Sequence, residues 1–464
     1  MIKTGMAKSS GAQSEFVGAE LGDARRGARL VSLAESMSRD PSMSFPKALD
    51  EAGLEGAYRL MGNPKVDPDA VLKPHIQRSV ERAAADDVVV IAHDSSTMSF
   101  GSEGYREGLS GSTGGHQHFL AHVSLAISGD GHVRPHGVLA VSRHVVDQGK
   151  SKGKKKARGT KGQLQQRWSM HVDQVHGLGL EPSAIVHVMD READDYEVFS
   201  LIEEHDGGFV IRMQHNRTLV DGDKIRNRLS SVEFRVRRTV ALGYRGTIAG
   251  PKQKRTHPPR KARKATLDIG ATTVVLKRAG SASKSTPSSY QMNVVYVREV
   301  NPPDDKSAVE WVLLTNKPVQ DDEQLLRVVD WYRARWCIEE LFKALKTGCS
   351  FEKRQLGSLH ALSNALSLLL PMAWKLLLLR SEARHNPDAP AAEVLTSEEI
   401  SVLRAGGRRP LPDQPTVRDV LLAVAALGGH LKRNGEPGWL TLGRGYEELQ
   451  ALTRGWILAR AAGG

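Results

Sequence analysis

The feature that most constrains this chain is a pair of short apolar, β-branched runs that each lead into an aspartate. Val88-Val-Val-Ile-Ala runs into His93-Asp94, and Ile185-Val-His-Val-Met runs into Asp190. A continuous apolar run of this length fits a strand buried on both faces. Such strands belong to an α/β sheet, where functional groups gather at strand ends. Further strands are expected at 119–127 and 132–141, joined by a turn at Ser128-Gly-Asp-Gly, and at Phe209-Val-Ile-Arg-Met. From about 218 to 315 the pattern becomes apolar–polar alternation, which predicts an inserted antiparallel sheet.

Helical patterns flank this core. Residues 15–77 read as mostly helical, and helices resume at Asp321. The most apolar stretch, 366–379, contains Pro371 and Lys375 and is too short to span a bilayer, so it reads as a buried helix. After Glu382 a Pro- and Ala-rich stretch reads as a linker, with helical pattern returning over 417–461.

The 65 Lys plus Arg against 53 Asp plus Glu leave a net charge of +12. That excess suits a polyanionic partner, although a basic protein without one fits equally. Two tracts, 149–162 and 250–264, hold much of the charge and read as loops, either solvated or placed on a phosphate backbone. Arg25, Arg26 and Arg29 cluster on one side of an early helix, where a DNA-reading face and a solvated basic face are both open. Two cysteines, Cys337 and Cys349, exclude a disulfide framework and a four-thiolate metal site. The N-terminal residues hold no apolar stretch of signal-peptide length, and a cytoplasmic protein is expected.

The chemistry concentrates in one segment. Trp331-Tyr-Arg-Ala-Arg-Trp-Cys-Ile-Glu-Glu-Leu-Phe-Lys-Ala-Leu-Lys predicts a single helix. Tyr332, Arg335, Glu339 and Lys346 follow at steps of three, four and seven and share a face, while Ile338, Leu341, Phe342 and Leu345 cover an adjoining one. An amphipathic helix with a Glu339–Lys343 ion pair explains the pattern equally in isolation. Beside Asp94 and Asp190, however, Glu339 completes a set of carboxylates flanked by Arg and Lys. That set suits metal-dependent phosphodiester chemistry, because hard divalent ions take oxygen ligands. His116, His118 and His122 also cluster, but at strand spacing with no cysteine nearby they read as structural rather than zinc-binding.

These residues resemble the DDE transposases of bacterial insertion sequences, in the subgroup marked by a Tyr-x2-Arg-x3-Glu-x6-Lys signature. The resemblance runs along nearly the whole chain. It includes Leu21-Gly-Asp-x-Arg-Arg-x-Ala-Arg-Leu, Gly56-Ala-Tyr-Arg, Asp190-Arg-Glu-Ala-Asp, Trp311-x-Leu-Leu-Thr, Trp336-x-Ile-Glu-Glu, Lys346-Thr-Gly and Ala426-Leu-Gly-Gly. It implies a ribonuclease H-like α/β core carrying Asp94, Asp190 and Glu339 as catalytic and metal-holding residues, with Mg²⁺ as the cofactor and Mn²⁺ as a substitute. It further implies DNA contacts by Tyr332, Arg335, Lys346, Arg212 and His215, and by Arg25, Arg26, Arg29 and Arg59 of the N-terminal module. Trp311 matches a tryptophan that receives a flipped base when a cleaved end closes into a hairpin.

The implied layout is an N-terminal helical DNA-end-binding domain over 1–77, a catalytic domain over 78–383 with its β-rich insertion at about 218–315, and a linker with C-terminal helical dimerisation domain over 384–464. The implied partners are double-stranded DNA and a second copy of the chain, with no membrane. A catalytically silent DNA-binding regulator derived from such an enzyme is the alternative; loss of an acidic residue would mark it, and all three are present. A general ribonuclease H-like nuclease leaves the N-terminal arginines and Trp311 unexplained.

Overall fold

The computed structural model describes residues 12–39, 41–102, 104–111, 117–145, 154–243, 259–303, 308–431 and 435–462. A 3₁₀ turn at Ala12–Phe16 leads into α1 (Ala24–Arg39), α2 (Phe45–Ala48), α3 (Glu51–Gly62) and α4 (Pro68–Ala83). Strands β1 (Val89–Phe100), β2 (Ser110–Gly111), β3 (Gln117–Ser128) and β4 (Pro135–His144) precede α5 (Lys154–His176). Then come β5 (Ile185–Met189), α6 (Tyr196–Glu204), β6 (Gly208–Arg212), α7 (Ile225–Leu229), β7 (Phe234–Leu242), β8 (Arg263–Lys277), β9 (Ser289–Glu299) and β10 (Glu310–Thr315). The chain closes with α8 (Asp322–Ala334), α9 (Trp336–Lys343), α10 (Leu359–His385), α11 (Ser397–Gly406), α12 (Val417–Leu427) and α13 (Trp439–Ala462).

These elements form two compact units, one from residues 1–167, 177–180 and 336–464 and the other from 168–176 and 181–335. In the first, β3 pairs antiparallel with β1, β2 and β4. Helix α4 lies on β4 at close range. At Gly137, where φ is +142°, a Cβ would sit 2.0 Å from Ser79 Oγ, so only glycine fits. Helix α10 packs on α4 and β4 and is long and apolar enough to cross a membrane, but its apolar window is wholly buried inside this unit. Its start is fixed by Ser358, which accepts from Ala361 N at 3.1 Å. Trp374 Nε1 donates to Pro135 O at 2.9 Å and pins the helix to β4.

A buried ionic group ties down the N-terminal turn. The Glu15 carboxylate is 2.6 Å from His75 Nδ1 and 3.0 Å from Arg82 Nη1. Burial works against the Glu15 charge, but the His75 and Arg82 contacts outweigh it and hold the carboxyl at about 2. Since the folded value lies below the ordinary 4.5, this stabilisation is complete above the unfolded value and is lost as pH falls through the folded one. Glu15→Gln is therefore expected to flatten the fall in unfolding free energy between about pH 5 and pH 2, as measured by denaturant titration across that range.

In the second unit β5 and β6 run parallel, and β6 is followed in antiparallel order by β10, β9, β8 and β7. Trp168, Phe199, Phe209, Ile211, Met292 and Leu314 belong to its continuous buried core. Helix α8, capped by Asp321 accepting from Gln324 N at 2.7 Å, lies against these strands. Arg238 reaches Asp330 of α8 at 2.6 Å.

The mixed α/β class, the helical N-terminal part and the strands read from the sequence are present, with several differences. The alternating segment does not make a separate sheet. Its strand β10 pairs directly with β6, so the antiparallel strands extend the parallel β5–β6 pair. Strand β1 does not stop at Asp94 but continues to Phe100, because twelve successive residues of β1 pair along β3. The expected single helix is broken at Arg335 and ends in a π-helical turn, Ala344–Gly348, closed by Cys349 N donating to Ala344 O at 2.8 Å. That wider turn sets Gly348 flush against its neighbours, since a Cβ there would lie 3.0 Å from Leu376. Lys154 to Gly162, read as part of a basic loop, form the first turns of α5, whereas 149–153 and 250–258 lie outside the described residues. The expected linker contains α11, started by a Thr396–Glu399 capping box, and buries Ala391, Val394 and Leu395.

Candidate active site

Asp94 and Glu339 belong to the first unit and Asp190 to the second. On β1, Asp94 is half-buried and pairs in register with Val123. Its Oδ1 accepts from Ser95 N at 2.8 Å. The next side chain is held firmly, with Ser95 Oγ 2.8 Å from His122 Nδ1 and receiving Arg167 Nε at 2.9 Å. His122 is fully buried, stacked 6.2 Å from His93. Of the three histidines expected to be structural, His122 bonds Ser95 and so stiffens the strand carrying Asp94. His116 lies outside the described residues.

Helix α9 packs against β1 through its apolar side. Ile338, Leu341 and Phe342 are buried, while Glu339 is half-exposed. Lys343 turns over the exposed Trp336 ring, 4.8 Å from its centroid. In the π-helical turn Lys346 Nζ donates to Thr97 O at 2.6 Å and pairs with Glu352 at 3.3 Å. Glu352 also accepts from Ser99 N at 2.8 Å. This acid was not singled out in the sequence, because only the fold brings 352 to β1. It acts as the clamp between Lys346 and the strand.

In the second unit, Asp190 follows β5 and accepts from Glu192 N at 2.9 Å, capping a 3₁₀ turn. Beside it the structure gathers several expected DNA-contacting residues. Burial pushes the Tyr332 hydroxyl above its ordinary range, the Arg335 and Arg212 charges pull it back, and the Asp190 carboxylate adds to the rise. Burial likewise holds the Arg212 guanidinium below its usual range, with Tyr332 opposing and Arg191 and Arg335 reinforcing. Asp190, Arg191, Arg212, Tyr332 and Arg335 are therefore within electrostatic reach of one another. Trp311 is the second residue of β10, opposite Val297 of β9, and is half-buried rather than in the core. Its ring meets Tyr332 edge to face at 5.2 Å.

His215 is exposed on the turn after β6. What fixes that turn is Asp194, whose side chain is 0% exposed. It accepts Gln214 N at 2.6 Å, His215 N at 2.7 Å and Arg217 Nη2 at 2.7 Å. Asp194 stands in the quoted Asp190-Arg-Glu-Ala-Asp stretch, so the signal was present; its partners, twenty residues on, could not be read.

In the N-terminal helices, Arg25 is exposed and bonded to Asp23, and Arg59 is exposed and 2.6 Å from Glu55. Arg29 is exposed and lies over Gly56 of α3, where a Cβ would meet its guanidinium at 2.2 Å. Arg26 differs from the expected open cluster, because its Nη1 donates to Leu21 O at 2.9 Å and it is half-buried. It braces the entry to α1.

Comparison with known families accounts for both regions. Residues 8–66 match the transposase DNA-binding family model, and residues 87–374 match that of the transposase DDE domain. The latter spans well over half the chain and includes all three carboxylates together with Trp311, Tyr332, Arg335 and Lys346. The chain belongs to the DDE transposase family, with a transposase DNA-binding region at its N-terminal end.

Proposed function

We propose that this transposase excises its element by cutting at the DNA ends through a hairpin intermediate and then joins the freed ends to target DNA. The observation that carries the reading is the grouping of Asp190, Arg212, Tyr332 and Arg335, with Trp311 packed on Tyr332. A cleaving carboxylate, phosphate-binding cations and an accessible aromatic face are what that chemistry requires in one place. The antiparallel β1–β3–β4 meander followed by the parallel β5–β6 pair supports a ribonuclease H-like core.

Asp94, Asp190 and Glu339 are the candidate ligands. All three offer hard oxygen donors, and each is half-exposed rather than sealed in the core, a donor set that fits Mg²⁺ or Mn²⁺ and leaves room for phosphate oxygens. Divalent ions held by these carboxylates would activate the attacking oxygen and stabilise the leaving one. Arg212 and Arg335 neutralise non-reacting phosphate oxygens, and Lys346, clamped by Glu352, holds the strand near Asp94. The Trp311 face receives the base that leaves the stack as the 3′ hydroxyl attacks the opposite strand. Leu452, Trp456, Ile457 and Leu458 of α13 are exposed. They support a second copy docking there, so that two ends are cut together.

A 5′-labelled duplex carrying the terminal repeat, incubated with full-length protein and Mg²⁺, is expected to yield a nick and then a hairpin on a denaturing gel. Absence of both would overturn the reading. Base–aromatic stacking contributes about 1–3 kcal/mol. Trp311→Ala should therefore lower hairpin formation by roughly five- to 150-fold, while the initial nick proceeds at its wild-type rate. Equal loss of both products would show that Trp311 serves the fold rather than the flipped base.

A further inference from the structure

Within the first unit lies a cleft of about 700 Å³ whose lining includes none of Asp94, Asp190 and Glu339. Its walls come from the α2 region, the segment after the π-helical turn, the end of α12 and the start of α13. Lys47, Lys353, Arg408 and Arg444 line it, together with hydroxyls of Ser44 and Ser350. All four cations are exposed, and none pairs with a carboxylate among the described residues. Arg354, at the same cleft, is buried and already donates to Pro41, Met43 and Cys349 carbonyls, so it braces the wall. Glu447 and Glu448 also line the cleft, leaving the cations in excess.

The way the cleft is built argues that these cations are placed. Arg444 stands between Gly443 and Gly445. A Cβ on Gly443 would lie 2.9 Å from Gly348 O, and one on Gly445 would lie 1.8 Å from Val424 O. Those glycines clamp α13 between the π-helical turn and α12, with Arg444 projecting at the rim. At the same cleft Ser350 adopts φ +47°, a left-handed conformation rare for serine. Four like charges that pair with no carboxylate among the described residues repel one another across the cleft, and a polyanion relieves that repulsion.

We infer that this cleft is a second DNA-binding subsite that takes phosphodiester backbone without reading sequence, distinct from the exposed arginines of α1 and α3 and from the three carboxylates, although Ser44 and Lys47 of the N-terminal region form one of its walls. It rests on DNA being the partner and not on the hairpin chemistry. The chemistry recognised is phosphate, and a linear backbone satisfies cations spread over several elements better than one small anion does.

The test is a salt titration of binding to labelled random-sequence duplex by the full chain and by the triple variant Lys353→Ala/Arg408→Ala/Arg444→Ala. Each phosphate contact contributes about 0.9 to the slope of log K against log salt, so the variant's slope should be shallower by about 2 to 3, with affinity down at least about tenfold near physiological salt. The unfolding midpoint should not move, since these side chains hold no ion pairs among the described residues. A cross-linker on Ser44→Cys locates the effect independently, because the native Cys337 and Cys349 are buried. It should attach to the duplex, and unlabelled duplex should compete while inorganic phosphate or tripolyphosphate at equal phosphate concentration should not. An unchanged slope, no cross-link, or competition by tripolyphosphate alone overturns the proposal. Because no cleavage is read, failure of the hairpin chemistry would leave these outcomes unaltered.

Discussion

Glu339→Gln is expected to abolish DNA cleavage while leaving duplex binding within about twofold of wild type. The substitution keeps the size of the side chain and its place on α9, whose buried face is Ile338, Leu341 and Phe342. On the proposed site it removes one anionic oxygen ligand. Loss of a divalent-ion ligand costs several kcal/mol of transition-state stabilisation, and about 4 kcal/mol is roughly a thousandfold in rate. Nicking measured in single turnover reads the effect, with a filter-binding assay run in parallel. A variant that still nicks within tenfold of wild type would remove Glu339 from the site, and one that fails to bind DNA would show that the helix has been disturbed.

The second large effect is on stability. Asp194 is fully enclosed, receives two backbone N–H groups and is paired with the largely buried Arg217. Breaking such a pair leaves a guanidinium and two amides without their acceptor, at a cost of about 3–5 kcal/mol. Asp194→Ala should therefore lower the unfolding free energy of the second unit by that amount in denaturant titration. It should also loosen the turn that carries His215 and follows Arg212. A change below about 0.5 kcal/mol would mean that water or a rearranged turn replaces the carboxylate.

Much of this was legible in the residues. The apolar runs into Asp94 and Asp190 give β1 and β5 because burial on both faces requires unbroken apolar sequence, and that signal is local. The signature segment gives Glu339 and Lys346 their order but not their geometry. The π-helical turn that places Lys346 under Thr97 depends on Gly348 meeting α10, a contact made by residues distant in sequence. Asp194 and Glu352 were missed for the same reason: each acts through backbone amides that the fold brings to it. The helix α11 was masked by Pro and Ala around it, although Thr396 and Glu399 spell a capping box. The basic tract at the start of α5 misled because charge density suggests a loop, while Lys and Arg are good helix formers. Trp311 could have been a core residue by sequence; its half-buried position against Tyr332 favours a surface on which a base can stack.

The proposed chemistry requires Asp94, Asp190 and Glu339 to hold metal ions during cleavage. The most direct measurement replaces each in turn by cysteine and compares nicking in Mg²⁺ and in Mn²⁺. A thiolate is a poor ligand for hard Mg²⁺ and a better one for Mn²⁺. Each cysteine variant is expected to be inactive with Mg²⁺ and to recover nicking with Mn²⁺, whereas the matching alanine variants stay inactive with both. Full activity with Mg²⁺ at any of the three positions, or the same Mn²⁺ recovery in the alanine variants, would contradict it.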